Sequence, residues 1–286
     1  MRICRFENDR VGVVDGDEVV DVTAALDILP TCRYPLAKND PLIANLNLLV
    51  PLFRERIGTG RRRALADLDL KSPIANAGKV VCAPVNYRKH LDEARADADI
   101  HFNNKILEIQ QVGLFLKATS SIVGPSEGVS IRHPQRRNDH EVELAVIIGT
   151  QANRVAREEA LNYVAGYCIG LDMTLRGPED RSLRKSIDTY TVLGPWIVTA
   201  DEIPDPSSLN LSLTVNGALR QAANTGSLLV GIPELIEFAS SFYTLMPGDV
   251  VLTGTPEGVG PIIPGDIMEA SIDGIGRMSV EVNAVH

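Results

Sequence analysis

The chain has 286 residues, with 28 Lys and Arg against 37 Asp and Glu for a net charge of −9, and it is 44% hydrophobic and 23% charged. This is ordinary globular composition, and the acidic balance argues against nucleic acid, whose phosphates demand a surplus of Lys and Arg. No apolar run approaches the roughly 18 residues of a membrane span, and the opening Met1-Arg2-Ile3-Cys4-Arg5-Phe6 lacks the apolar stretch of a secretory signal, so a cytoplasmic protein with neither membrane nor nucleic-acid partners is expected.

Residues 1–22 read as a three-stranded meander: Ile3–Phe6, a turn at Asn8-Asp9, Val11–Val14, a hairpin turn at Asp15-Gly16, then Glu18–Val22. Thr23 is placed to cap a short helix over Ala24–Ile28. Arg61-Arg62-Arg63 reads as a solvated helix face. Lys71-Ser72-Pro73 closes a small N-terminal domain, 1–74, and the larger domain takes 75–286. Strands dominate from there: Val80–Ala83, Leu114–Lys117, Val129–Ile131, Val142–Ile148, Tyr163–Leu171, Pro195–Thr199, Leu211–Val215, Val250–Thr253, Ile267–Ile272 and Met278–Val282. Helices are expected at Tyr87–Arg95, Arg157–Leu161 and Pro233–Ser240, and Asp97–Gln111 as a lid or loop. Without regular βαβ alternation this order predicts an α+β, β-rich fold rather than a doubly wound one. The four cysteines, Cys4, Cys32, Cys82 and Cys168, have no CxxC spacing and read as reduced thiols, most of them core-filling.

The strongest chemical signal is Asp139-His140-Glu141-Val142-Glu143-Leu144-Ala145-Val146-Ile147-Ile148. On a strand, residues i and i+2 share a face. Val142, Leu144, Val146 and Ile148 fill one face; Glu141 and Glu143 lead into Ala145 and Ile147 on the other. Spacing alone leaves two readings open: an exposed edge strand, or two carboxylates at the mouth of a core that a hard divalent cation would relieve of mutual repulsion. Asp172, ending the apolar run from Tyr167, is either a turn former or a third ligand. Asn86 is placed to cap a helix on which His90 and Glu93 share a face at i,i+3, a surface ion pair or a base oriented by its carboxylate. Lys185 is either solvated or placed to stabilise a developing oxyanion. Thr253-Gly254-Thr255-Pro256-Glu257-Gly258-Val259-Gly260 lacks the Gly-Lys-Ser/Thr of a phosphate loop and reads as a tight, substrate-facing turn.

Taken together, these segments resemble the fumarylacetoacetate hydrolase family. The motifs are Asn86-Tyr87-x-x-His90-x-x-Glu93, Phe115-Leu116-Lys117, Gly124-Pro125, Asp139 to Ala145, Gly166-Tyr167, Asp172, Lys185-Ser186-x-Asp188-Thr189, Gly194-Pro195, Val215-Asn216-Gly217, Pro247-Gly248-Asp249-Val250 and the Thr253–Gly260 turn. The resemblance implies a mixed β-roll behind a small N-terminal meander domain, and a homodimer. It implies Mg²⁺ or Mn²⁺, with Ca²⁺ as an alternative, held by Glu141, Glu143 and Asp172. It further implies catalytic roles for His90, Glu93 and Lys185, and substrate contacts for Tyr87, Lys117, Arg176 and Thr255. The reaction implied is hydrolysis of a C–C bond in a 2,4-dioxo acid of acylpyruvate or fumarylpyruvate type, releasing pyruvate. The alternative is a decarboxylase, hydratase or isomerase acting on a 2-oxo or 2-hydroxydienoic diacid. Departures cluster at Leu171, at Ala118, in Thr174-Leu175-Arg176-Gly177-Pro178-Glu179 and in residues 97–113, around Ile100-His101-Phe102-Asn103-Asn104-Lys105. These point to a specialised lid and pocket. His90 and Glu93 are intact, so an active enzyme is expected.

Overall fold

Apolar alternation decides the first three strands of the computed structural model, which describes residues 1–102 and 105–285; Asn103 and Asn104 of the expected lid lie outside the described residues. Strands β1 (Arg2–Phe6), β2 (Arg10–Asp15) and β3 (Glu18–Asp21) form the expected meander. The following helix, Thr23–Ile28, is a 3₁₀ turn, and Thr23 does not cap it. The Thr23 hydroxyl donates instead to Asp21 Oδ1 at 2.6 Å, sealing the end of β3. Asp40 caps the short α1 (Pro41–Ala44), accepting from the amides of Leu42 and Ile43, and α2 (Leu46–Ile57) buries Leu49 and Phe53. The arginine cluster is not a helix face. Arg62–Ala64 is a strand, β4, antiparallel to β3, and Arg62 bonds Asp15 and Glu18 across it. The charge row of β3's exposed edge, not helical periodicity, sets the conformation there.

A short β5 (Leu70–Lys71) pairs with β1. The rest of the chain supplies β6 (Val80–Cys82), α3 (Arg88–Ala96), α4 (Ala98–His101), α5 (Ile109–Val112), β7 (Phe115–Lys117), β8 (Ile122–Val123), β9 (Val129–Ile131), β10 (Asn138–His140) and β11 (Val142–Ile148). Then come β12 (Val164–Asp172), β13 (Thr174–Leu175), α6 (Arg181–Lys185), β14 (Thr191–Thr199), β15 (Asn210–Val215), β16 (Ala218–Asn224), α7 (Ile232–Phe242), β17 (Val250–Leu252), β18 (Gly260–Pro261), β19 (Ile267–Ile272) and β20 (Gly276–Ala284). The helix expected at Arg157–Leu161 is a 3₁₀ segment, Arg157–Tyr163. Sequence reading did not mark β16 or α6 as elements.

The fold is α+β and β-rich. Among the described residues, a 12-stranded mixed sheet runs β4-β3-β2-β1-β14-β12-β11-β17-β6-β7, with β5 on β1 and β8 on β14. The meander is continuous with it through Arg2 opposite Val198. A five-stranded sheet, β16-β15-β19-β20-β9, and a three-stranded one, β13-β10-β18, complete the architecture. The large sheet is buried on both faces, which is why its central strands are nearly all apolar. Val142, Leu144, Val146 and Ile148 join one core with Leu235 and Ile236 of α7 and with Leu213 and Met268 of the five-stranded sheet. Ala145, Ile147 and Ile197 join the second, with Leu49 and Phe53 of α2. The alternation expected from sequence is thus realised as two cores on opposite faces of β11. No helix among the described residues is long and apolar enough to cross a membrane.

Candidate active site

Strand register brings the acidic residues together. β11 and β12 are antiparallel with Val142 opposite Leu171 and Glu143 opposite Gly170. The Asp172 amide donates to the Glu141 carbonyl at 2.9 Å, so the last residue of β12 sits beside the residue that precedes β11. Glu143 is two positions further on and faces the same way. All three are buried, with exposures of 5% for Glu141, 1% for Glu143 and 1% for Asp172. Each offers an oxygen, and these atoms lie within 4.8 Å of one another. This is the buried, three-carboxylate arrangement, not the exposed edge strand.

Their charges are balanced by an alternating chain of ions. Lys117 Nζ donates to Asp172 Oδ1 at 2.5 Å and to the Tyr190 carbonyl at 2.6 Å. Lys185 Nζ bridges Asp172 Oδ2 at 2.5 Å, Glu141 Oε2 at 2.8 Å and Thr174 Oγ1 at 2.6 Å. Arg176 joins Glu141 Oε1 at 2.9 Å to Asp139 Oδ2 at 2.8 Å. Arg137 joins Asp139 Oδ1 at 2.8 Å to Asp97 Oδ2 at 3.0 Å, at the start of the lid segment. Burial alone would push the Glu141 carboxyl up, but Lys185 and Arg176 hold it well below the usual range.

Among the described residues Glu143 makes no ion pair; its Oε2 accepts from the Gly254 amide at 2.6 Å. Burial, then the charges of Asp172 and Glu141, push its carboxyl well up. Among the described residues, Glu143 is thus the one carboxyl of the triad without a cation against it. A hard divalent ion with oxygen ligands fits that donor set: Glu141, Glu143 and Asp172 would hold it.

Facing the triad is the dyad. His90 Nδ1 and Glu93 Oε2 lie 2.8 Å apart on α3, with His90 buried. Glu93 Oε1 accepts from the Gly258 amide at 3.0 Å. Asn86 does not cap α3; Tyr87 occupies that position. The Asn86 carboxamide instead donates to the Val230 and Thr253 carbonyls and accepts from the Val230 amide, which ties the start of α3 to the turn after β17. That turn passes so close that a Cβ on Gly254, whose φ is +100°, would lie 2.6 Å from Asn86 Cβ. Thr255 Oγ1 accepts from Gln221 Nε2 at 2.7 Å, and Gln221 Oε1 meets His140 Nδ1 and the Val142 amide, both at 3.1 Å.

His90, Glu141, Glu143, Asp172, Arg176, Lys185 and Thr255 all line one cavity, whose wall also includes Ala94, Ile100, Ile106 and Phe115. Two expected substrate contacts are not among its lining residues. Lys117 is engaged by Asp172 and Tyr190. Tyr87 is buried, and its hydroxyl is the one buried side-chain polar atom with no partner among the described residues; burial and the charge of Glu143 push it up. The expected lid does contribute, through Ile100 and Ile106. Sequence reasoning missed Asp139 and Gln221 as supports and Arg181 and Arg184 as wall residues. The Asp180-Arg181-Ser182 cap signal, followed by basic residues at i+3 and i+4 from Arg181, could have exposed the last two.

A two-core β-roll that gathers three buried carboxylates opposite a His–Glu dyad defines a divalent-metal-dependent enzyme. The model of the fumarylacetoacetate (FAA) hydrolase C-terminal family matches residues 79–283, and the chain belongs to the fumarylacetoacetate hydrolase family. It is 57% identical over 289 residues to a maleylpyruvate hydrolase of Aquipseudomonas alcaligenes, covering 100% of both chains. The crystal structure of maleylpyruvate hydrolase from Sphingobium sp. SYK-6 with manganese(II) and pyruvate superposes with a TM-score of 0.85 at 39% identity, covering 100% of each chain. A fumarylacetoacetate hydrolase from Exiguobacterium antarcticum gives 0.76 at 30% identity, again with 100% coverage of each.

Proposed function

We propose that this enzyme is a metal-dependent hydrolase that cleaves the C–C bond of a 2,4-dioxo acid of maleylpyruvate type and releases pyruvate. The observation that carries this is the single cavity in which the buried triad faces His90. The similarity to maleylpyruvate hydrolases over the whole chain supports it. The bound cation, Mg²⁺ or Mn²⁺, supplies Lewis acidity toward the 2-oxo-acid head.

The chain's own residues do the rest. His90 is held through Nδ1 by Glu93, which leaves Nε2 to take a proton from water. The water oxygen bonds to the distal carbonyl carbon, the bond from that carbon to the methylene breaks, and the methylene carbon takes a proton to give pyruvate. Lys185 balances the negative charge that builds up near Glu141 and Asp172. Arg176 and Thr255 hold the substrate's oxygens. The cavity is about 60 Å³, and Ile100 and Ile106 of the 97–113 segment form part of its wall. The same reading takes the protein to be a homodimer of the cytoplasm; light scattering on the purified chain checks the dimer.

The experiment is Mn²⁺-dependent pyruvate release from maleylpyruvate, with EDTA, Glu141→Ala and His90→Ala as controls. EDTA and Glu141→Ala should abolish release. His90→Ala should lower kcat by about 10²- to 10⁴-fold while Mn²⁺ still binds. CO₂ from oxaloacetate, or loss of diene absorbance without pyruvate, would identify the decarboxylase or hydratase alternative instead.

A further inference from the structure

The guanidiniums of Arg181 and Arg184 have no part in the reaction described above. Asp180 caps α6 by accepting from the Ser182 amide at 2.8 Å. Arg181, Arg184 and Lys185 then follow at i, i+3 and i+4, which is one helical face, and all three line the cavity that holds the triad. Their partners differ. Lys185 is committed to Glu141 and Asp172. Arg184 donates from Nε to the Glu179 carbonyl at 2.7 Å and from Nη1 to the Leu175 carbonyl at 3.1 Å, which fixes it without answering its charge. Arg181, among the described residues, has neither a hydrogen bond nor an ion pair.

Both guanidiniums are half-buried, and burial lowers both, whereas Arg176, more deeply buried, is raised by Glu141 and Asp139. A partly desolvated guanidinium with no carboxylate in ion-pair contact is unfavourable, and among the described residues this wall carries two, which Glu141 reaches only through space. Arg181 stands one helical turn before Lys185, which touches the triad, and the same wall includes the apolar Ile106 and Phe115.

We infer that Arg181, backed by Arg184, receives a second carboxylate at the far end of the substrate, so that the enzyme selects dicarboxylic 2-oxo acids over monocarboxylic ones of equal length. A guanidinium fork matches a carboxylate with two parallel N–H···O bonds. The inference rests on the reading above in one respect, that the 2-oxo-acid head lies at the triad end of the cavity.

The test is calorimetric binding to the Mn²⁺-loaded full chain of 2-oxoadipate and of 2-oxohexanoate, which differ only in the terminal carboxylate and have no 4-oxo group to cleave. The wild type should bind 2-oxoadipate about 10- to 100-fold more tightly, the worth of a charge-assisted contact. Arg181→Ala and Arg181→Gln should bring that ratio close to 1, and Arg181→Lys should keep part of it. One Mn²⁺ bound per chain verifies that each variant is folded. A wild-type ratio near 1, no binding of either ligand, or a ratio that survives in Arg181→Ala overturns the inference. Failure to hydrolyse maleylpyruvate, with the binding ratio intact, would sink the proposed reaction and leave the diacid site standing.

Discussion

The backbone amide of Gly258 holds Glu93, 165 residues away in the chain, through a 3.0 Å hydrogen bond to Oε1. The other oxygen of that carboxylate holds His90. The turn after β17 therefore sets the orientation of the imidazole. Gly258 has φ +91°, and a Cβ there would lie 2.0 Å from the Arg220 carbonyl oxygen. Gly258→Ala must push the turn away from Arg220 and carry Glu93 with it. Its kcat should fall by roughly 10- to 100-fold, the scale of an ångström-sized misplacement, while Mn²⁺ affinity stays within a few-fold. Steady-state kinetics beside a Mn²⁺ titration checks this; an unchanged kcat would remove the turn from the positioning of His90.

Metal binding should release a proton. Without an ion, burial and the charges of Asp172 and Glu141 raise the Glu143 carboxyl well above its usual value, which favours its protonated form. Ligation needs the carboxylate. Mn²⁺ affinity should thus increase with pH, and heats of binding at pH 6 should differ between buffers of low and high ionisation enthalpy by about one proton per ion. Equal heats in the two buffers would mean that Glu143 is already ionised.

Lys117→Met should destabilise the metal-free protein more than the loaded one. The Lys117 and Asp172 side chains are 0% and 2% exposed, and removing one partner of such a pair leaves a buried charge unanswered. Lys185 still bonds the other Asp172 oxygen, so the loss should be about 3 kcal/mol, the low end for a broken buried pair. Mn²⁺ should restore part of it. Urea unfolding in EDTA and in excess Mn²⁺ measures both.

Tyr87→Phe should not lower stability, because it removes a buried hydroxyl with no partner among the described residues. If substrate supplies that partner, KM should rise roughly 5-fold, the worth of one neutral hydrogen bond, at unchanged melting temperature. A thermal melt paired with kinetics separates this from a purely structural role, in which KM does not move.

What sequence revealed here, and what it hid, follow from the range of each interaction. The alternation from Glu141 to Ile148 is local, and by itself it puts two carboxylates on one face. The i,i+3 spacing of His90 and Glu93 is local too. That Asp172 ends beside Glu141 depends on the pairing of β11 with β12, which no periodicity encodes; the residues left Asp172 open between a turn former and a third ligand, and the family resemblance decided for the ligand. Local rules misled where a distant partner overrode them. Asn86 had the side chain of a cap, but Val230 and Thr253 claim it. Arg62 had the look of a helix face, but Asp15 and Glu18 draw it into a strand. Arg181 and Arg184 stayed hidden because α6 is only five residues long, and its one local signal, the Asp180 cap with basic residues behind it, is short enough to pass for a turn.

The ion chain running from Asp97 through Arg137, Asp139 and Arg176 to Glu141 has a thermodynamic corollary. Asp97 opens the segment whose Ile100 and Ile106 wall the cavity, and Glu141, a ligand in the proposed function, stands at the other end. If the segment swings outward and Asp97 lets go, Arg137 redistributes onto Asp139, and Arg176 onto Glu141, at the expense of the ligand's hold on the cation. Gate and ion are then two handles on one equilibrium, and linkage makes the coupling reciprocal. An ion that grips Glu141 more firmly should close the gate more often, so exchanging Mg²⁺ for Mn²⁺ would change how often substrate is admitted as well as how fast it is cleaved.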